Sequence, residues 1–328
     1  MRASTGEEER DKVSISSPFE GDTVFARPGA SRKAVFHHFT VDVEEYFQVS
    51  ALEPYSPRSR WDTIPRRLEI GVHSLLDLLS EHNASATFFV LGWAADRAPN
   101  LVREIVNRGH EVASHGSDHR RVTALTGREF RESVRSSKKV LEDITGRAVV
   151  GYRAPNFSIV RGREWALETL VEEGYRYDSS LFPVRRKGYG FVGGARDPHL
   201  LQLDSGTLYE IPPATLKVGN AILPAGGGAY FRHLPYAFVE SALLSAERRG
   251  VPGTFYIHPW ELDPAQPRMR TSLLTQVRHY GGLTRTIPRL RRLLSRFHFQ
   301  PIATTLGLCE ALSGSAIPRA SSAIAGEP

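Results

Sequence analysis

Cysteine is almost absent from this chain: Cys309 is the only one among 328 residues. An intrachain disulfide is therefore excluded, and the usage fits a reducing compartment. Long apolar runs are absent too. No stretch approaches about 18 continuous apolar residues, so no transmembrane helix is expected. The opening decapeptide, Met1 to Arg10, has no apolar run and does not read as a secretory signal. A soluble cytoplasmic protein is the resulting expectation. The triplet Gly226-Gly227-Gly228 lacks the Lys-Ser/Thr of a phosphate loop and does not match the dinucleotide fingerprint. It reads as a tight turn that lets backbone approach a substrate. Charge of one sign is not gathered on a stripe. The net charge is +6, and Lys and Arg are dispersed apart from Arg185-Arg186-Lys187 and the Arg-rich segment Arg285 to Arg296. No nucleic-acid partner is expected from that pattern. A solvated face is the plain reading of both clusters, and the second is also a candidate for docking on a membrane.

What is present suits one large α/β domain, with 41% hydrophobic and 9% aromatic residues for a sizeable core. Residues 1–33 and 313–328 are polar or small and read as disordered tails around a domain at 34–312. Between the tails, short apolar runs alternate with amphipathic stretches. Strands are expected at 35–43, 86–91, 111–113, 148–152, 175–178, 254–258 and 300–303. Helices are expected at 68–79, 101–108, 126–146, 165–173, 236–249, 283–297 and 304–312. Thr126 and Glu129 form a capping box at the start of the third helix, and Gly146 stops it. The segment 182–228 is irregular, rich in Gly and Pro, and is expected to hold β-rich excursions over the active face. Strands that alternate with helices imply a parallel sheet. The residues that carry chemistry fall where strands run out into loops. That favours a (β/α) barrel, distorted and with about seven units, over an open sheet, which gathers ligands at one switch point.

Asp42 and Glu44 sit two apart at a strand end, so both carboxylates can reach one pocket. His115 and His119 are four apart after Ser114, and a turn or tight loop brings both imidazoles together. One carboxylate and two imidazoles make a three-ligand divalent metal site with an open position. The remaining carboxylate can act as a base on the water there. Asp118 is a candidate acceptor behind the histidines. Arg153 follows another strand and can pair with a carboxylate such as Asp42 and hold it ionised. Pro155 makes Ala154 extended and stiffens that loop. His258 ends a strand and suits a general acid titrating near neutrality. Trp260 and Tyr230 are candidates to stack on a sugar face. Asp178 is read as orienting a site residue or capping a turn.

In this order, the motifs resemble the polysaccharide deacetylases, carbohydrate esterase family 4, over roughly Val35 to His258. Thr40-Val41-Asp42-Val43-Glu44 looks like that family's first motif, Thr-Phe-Asp-Asp, with a spacer. Ser114, His115 and His119 are similar to its Ser-His-x3-His. Arg153, Ala154 and Pro155 are similar to its Arg-x-Pro-Tyr, with Asn156 in place of Tyr, and His258 matches its strand-end His. The resemblance implies Asp42 as base, Glu44 as third ligand (with Glu45 as the competing choice), a backbone N–H near Asn156 on the oxyanion, and His258 as acid. The implied cofactor is a divalent metal, zinc first. The implied reaction is removal of N-acetyl groups from a polysaccharide or its lipid-linked precursor. Phe39 to Phe47, Gly226 to Tyr236 and Tyr256 to Glu261 look closest to the subfamily found with exosortase-linked exopolysaccharide loci. Three rival readings remain: a retaining glycosidase using Asp42 and Glu44, a metal phosphoesterase, and a glycan-binding protein without catalysis.

Overall fold

The computed structural model describes residues 14–16, 34–186 and 188–308. The strands are β1 (Ser14–Ser16), β2 (Phe36–Val43), β3 (Thr87–Val90), β4 (Glu111–Ser114), β5 (Gly151–Tyr152), β6 (Tyr177–Asp178), β7 (His199–Leu203), β8 (Gly206–Glu210), β9 (Thr215–Val218), β10 (Ala221–Pro224), β11 (Thr254–Ile257) and β12 (His298–Gln300). The helices are α1 (Leu68–Glu81), α2 (Gly92–Arg97), α3 (Pro99–Asn107), α4 (Gly127–Thr145), α5 (Trp165–Glu172), α6 (Gly228–His233), α7 (Tyr236–Arg248), α8 (Leu273–Tyr280), α9 (Thr286–Arg296) and α10 (Ile302–Thr305).

Strands β11, β2, β3, β4, β5, β6 and β8 neighbour one another in that order, every pair parallel. The sheet then curls back on itself. Past β8 the chain reaches Pro213, which bridges Thr254 of β11 in the parallel sense, and Ala214 N–H donates to Thr254 O at 2.8 Å. The fold is thus mixed α/β with a largely parallel sheet of barrel character, in line with the distorted (β/α) barrel expected. The β-rich excursions expected in 182–228 are β7, antiparallel to β8, and the hairpin β9–β10. β1 pairs antiparallel with β7, so Ser14–Ser16 belong to the sheet edge. The rest of the two tails expected at 1–33 and 313–328 lies outside the described residues.

The parallel strands are buried on both faces, as continuous apolar runs such as Thr87-Phe88-Phe89-Val90 require. α1 lays Val72, Leu75, Leu76 and Leu79 into the main core at helical spacing. α4 begins and ends as its sequence dictates. Thr126 and Glu129 form the reciprocal cap, and Gly146 closes the helix at φ 65°, a left-handed conformation that glycine adopts without strain. The last elements differ from expectation. The strand is His298–Gln300 and the helix starts at Ile302, because Pro301 cannot donate to a ladder but fits a helix entrance.

Candidate metal centre and catalytic cleft

Strand β2 carries Thr40 and Asp42 on the barrel-interior face. Thr40 Oγ1 donates to Phe255 O at 2.8 Å and fixes β2 against β11. The strand ends where Glu44 N–H bonds back to Asp42 O at 3.0 Å, a three-residue turn. Glu44 then faces the histidines while Glu45 turns away. Glu45 accepts N–H groups of Arg67 and Leu68 at the start of α1, at 2.9 and 3.1 Å. Burial raises its pKa to about 7 against those donors. Of the two glutamates, Glu44 is therefore the one that stands with the two histidines.

β4 delivers His115, and the following loop delivers His119 in a left-handed conformation, φ 58°. That loop is held from behind. Gly92 and Trp93 N–H groups at the start of α2 bond Gly116 O and Ser117 O, both at 2.8 Å, and Ser117 Oγ donates to Ser133 O of α4 at 2.8 Å. Ligand atoms of Glu44, His115 and His119 all lie within 4.8 Å of one another, and all three side chains are buried. His115 Nδ1 lies 2.8 Å from Arg153 O, so it is the donor there and Nε2 is left for a metal. Glu44 Oε2 touches His119 Nε2 and has no hydrogen-bond donor. The burial that would raise the Glu44 pKa is outweighed by His119, His258 and His115, and it falls to about 2. A buried carboxylate oxygen without a donor, facing two imidazoles, fits a divalent cation with nitrogen and oxygen ligands. Asp118, expected behind the histidines, pairs instead with Arg120 at 2.8 Å. The backbone carbonyl of Arg153 fills that place.

Arg153 is fully buried. Its Nη1 donates to Asp42 Oδ1 at 2.7 Å and Thr40 Oγ1 at 2.8 Å, and Nη2 donates to Ser179 Oγ at 2.8 Å. The guanidinium lies 4.1 Å from the Phe89 ring centroid, which closes its other face. The loop after Arg153 is strained, with Asn156 and Phe157 at φ 56° and 52°. Pro155 is buried beneath it, and Asn156 Nδ2 donates to Ser50 Oγ at 2.5 Å. Asp178 settles as a support for this loop. It accepts Ser180 O–H at 2.6 Å, and Ser180 Oγ accepts Ala154 N–H at 2.8 Å. Asp178 is raised to about 6 by burial, and the neighbouring Glu210 is raised well above the carboxylate range by burial and by Asp178.

Beside β2, β11 runs out into His258, which is partly exposed. His258 Nε2 lies 3.9 Å from Asp42 Oδ2 and 3.8 Å from Glu44 Oε1. Its Nδ1 meets Glu261 Oε1 at 2.7 Å, and Glu261 is held through Oε2 by Arg232 Nε at 2.5 Å. Burial alone would lower the His258 pKa. The hydrogen bond to Glu261 and the charges of Glu44, Glu261 and Asp42 outweigh it and raise it to about 9. Sequence reasoning missed Glu261 and Arg232. The one local signal was the spacing from His258 to Glu261, which closes a reciprocal cap over a 3-10 turn. Nothing in the sequence linked Arg232 to it.

Trp260 does not present a face to a sugar. Its buried ring stacks against His258 and His279, at 5.3 and 4.3 Å between centroids, and Arg232 lies 5.2 Å away. Its indole N–H points to Glu44 Oε1 at 3.3 Å, so it helps to orient that carboxylate. Tyr230 is on the wall of the cleft, its hydroxyl 2.8 Å from that of Tyr189. The cleft holds about 330 Å3, and Asp42, Glu44, His115, His119, Asn156 and His258 all line it.

Residues 60–174 match the family model described as polysaccharide deacetylase, and residues 179–307 match a second model, a domain of unknown function (DUF3473). His115, His119 and Arg153 fall in the first match, and Arg232, His258 and Glu261 in the second. The chain is 33% identical over 135 residues to the peptidoglycan deacetylase of Helicobacter pylori, covering 40% of this chain and 44% of that protein. It is 34% identical over 95 residues to a peptidoglycan-N-acetylglucosamine deacetylase of Bacillus cereus, covering 29% and 34%. It is 36% identical over 83 residues to a chitooligosaccharide deacetylase of Azorhizobium caulinodans, covering 25% and 40%. The chain thus spans less than half the length of these relatives. Among solved structures, a "putative polysaccharide deacetylase" of Mycobacterium smegmatis has TM-score 0.54 at 21% identity, covering 88% of this chain and 97% of that one, a likeness of fold. The chain is thus similar to polysaccharide deacetylases over one segment and to a second, unassigned family over the next.

Proposed function

We propose that this protein is a metal-dependent hydrolase that removes the N-acetyl group from an acetamido sugar of a glycan. The observation that carries the reading is the convergence of Glu44, His115 and His119 within 4.8 Å, with Asp42 and His258 beside them. A divalent cation held by those three residues would polarise the acetyl carbonyl and make a water easier to deprotonate. Asp42 Oδ2 takes that proton, because Arg153 engages only Oδ1. The backbone N–H of Asn156, on its left-handed turn at the cleft wall, donates to the oxygen of the tetrahedral species. His258, kept as imidazolium, gives its proton from Nε2 to the amide nitrogen as the C–N bond breaks. The products are acetate and a free amine.

Narrower features belong to the same proposal. Zinc is the cation favoured by one carboxylate and two imidazoles. The substrate is an exopolysaccharide or its lipid-linked precursor, supported by the likeness of Phe39 to Phe47 and of Tyr256 to Glu261 to exosortase-linked deacetylases. A cytoplasmic site of action is supported by the single cysteine. Product analysis on a panel of N-acetylated oligosaccharides tests the reading. Acetate and amine in equal amounts are expected. New reducing ends without acetate would replace it with glycoside cleavage, and saccharide binding without turnover would leave a binding protein.

A further inference from the structure

We propose that α8 and the segment leading into it dock this protein on an anionic lipid surface, with the mouth of the cleft beside that surface. Three aliphatic side chains of α8 stand in solvent: Leu273 is 85% exposed, Leu274 79% and Val277 64%. At about 100° per residue they share one arc of the helix with Arg278, while His279 packs inward on the other side and Tyr280 is buried at the helix end. An apolar stripe left in water marks an interaction surface.

The charge of the segment that carries this stripe has one sign. From Pro264 to Tyr280 the chain has three arginines and no Asp, Glu or Lys. Arg268, Arg270 and Arg278 are exposed, and none pairs with a carboxylate among the described residues. The basic helix singled out in the sequence, α9, is not that surface. Leu290, Leu293 and Leu294 are buried in the core, and Arg291 and Arg292 face Glu81 and Glu240 at 3.5 and 3.8 Å.

The chemistry selects the occupant. In a twofold contact between copies the same arginines would face each other with no acid to neutralise them. Three aliphatic side chains also cover far less than the roughly 800 Å2 per partner of a stable interface. A soluble polyanion would satisfy the arginines and leave the leucines in water. An anionic bilayer satisfies both, phosphates for the guanidiniums and the acyl boundary for the leucines. Thr275 and Arg278 also line the cleft, so a glycan carried on a lipid would meet the site where α8 rests. That last step rests on the deacetylase reading; the binding does not, and it is measured without turnover.

The 328-residue protein is sedimented with vesicles of phosphatidylcholine alone or mixed with phosphatidylglycerol. Binding to the mixed vesicles is expected, weakening with salt. Leu273→Ser with Leu274→Ser should cost about tenfold in partition, and Arg270→Gln about fivefold, with circular dichroism unchanged because all three side chains are exposed. Absence of binding at low salt, equal binding to neutral vesicles, or a leucine variant that binds like wild type would each overturn the proposal. A wild-type dimer in sedimentation velocity that the leucine variant abolishes would assign the surface to a second copy. Retention on soluble polyglutamate equal to that on vesicles would assign it to a polyanion.

Discussion

The cleft contains two buried arginine–carboxylate pairs, and they are wired differently. Arg153 holds Asp42 by one oxygen and leaves the other facing the cleft, so in the proposed mechanism the carboxylate is itself the reactive group. Arg232 holds Glu261 by one oxygen, and the second oxygen grips His258 Nδ1, so in that mechanism the reactive group is the imidazole beyond the carboxylate. Each guanidinium is buried, lies near an aromatic ring and spends its remaining N–H groups on protein oxygens. In the proposed mechanism the same device serves a base directly and an acid through a relay. It differs at the carboxylate: a relay that fails still leaves the imidazole in place, whereas a lost base leaves nothing to accept the proton.

The largest effect should follow Asp42→Asn. We expect kcat for acetate release to fall about 10³-fold, about 4 kcal/mol, with metal content unchanged. Glu261→Gln should cost less, about 10²-fold in kcat with KM unchanged. Its signature is electrostatic. The His258 pKa is raised to about 9, so the imidazolium persists below that pH and is lost as pH rises through it. Removing the Glu261 charge should move this loss to lower pH, read by NMR titration of the metal-free protein. An unmoved titration would make Glu261 merely structural and break the comparison.

The glutamates at the end of β2 sharpen the contrast at the ligand. Glu44→Gln should lower metal affinity more than about tenfold, whereas Glu45→Gln should retain metal after dialysis. The smallest effect concerns Asp178 and Glu210, the support beneath the Arg153 loop. Both carboxyls are raised above their unfolded values. The native state therefore holds extra protons as pH rises from about 4, and stability falls over that range. Glu210→Gln should flatten urea-unfolding stability between about pH 5 and 8 by on the order of 1 kcal/mol. An unchanged slope would remove the carboxyl pair from the account.

Sequence reading reached the first pair and not the second, for a physical reason. Asp42, His115, Arg153 and His258 lie at or just past strand ends, where alternation and punctuation mark position, and the barrel then gathers those ends. Glu261 lies in a short turn after the strand, and its partner Arg232 comes from α6, a six-residue helix with no apolar period. Pairing across 29 residues leaves no local trace. Trp260 failed as a sugar platform for a related reason: whether an aromatic face is free depends on His279, which arrives from α8. α8 itself was missed because its leucines point to water, which defeats a search for a core-facing stripe.

Metal dependence of acetate release is the most direct test of the account. Protein freed of metal by chelation should release no acetate, and added zinc should restore turnover in proportion until one ion is bound per chain. Undiminished acetate release from the metal-free protein would contradict the central claim.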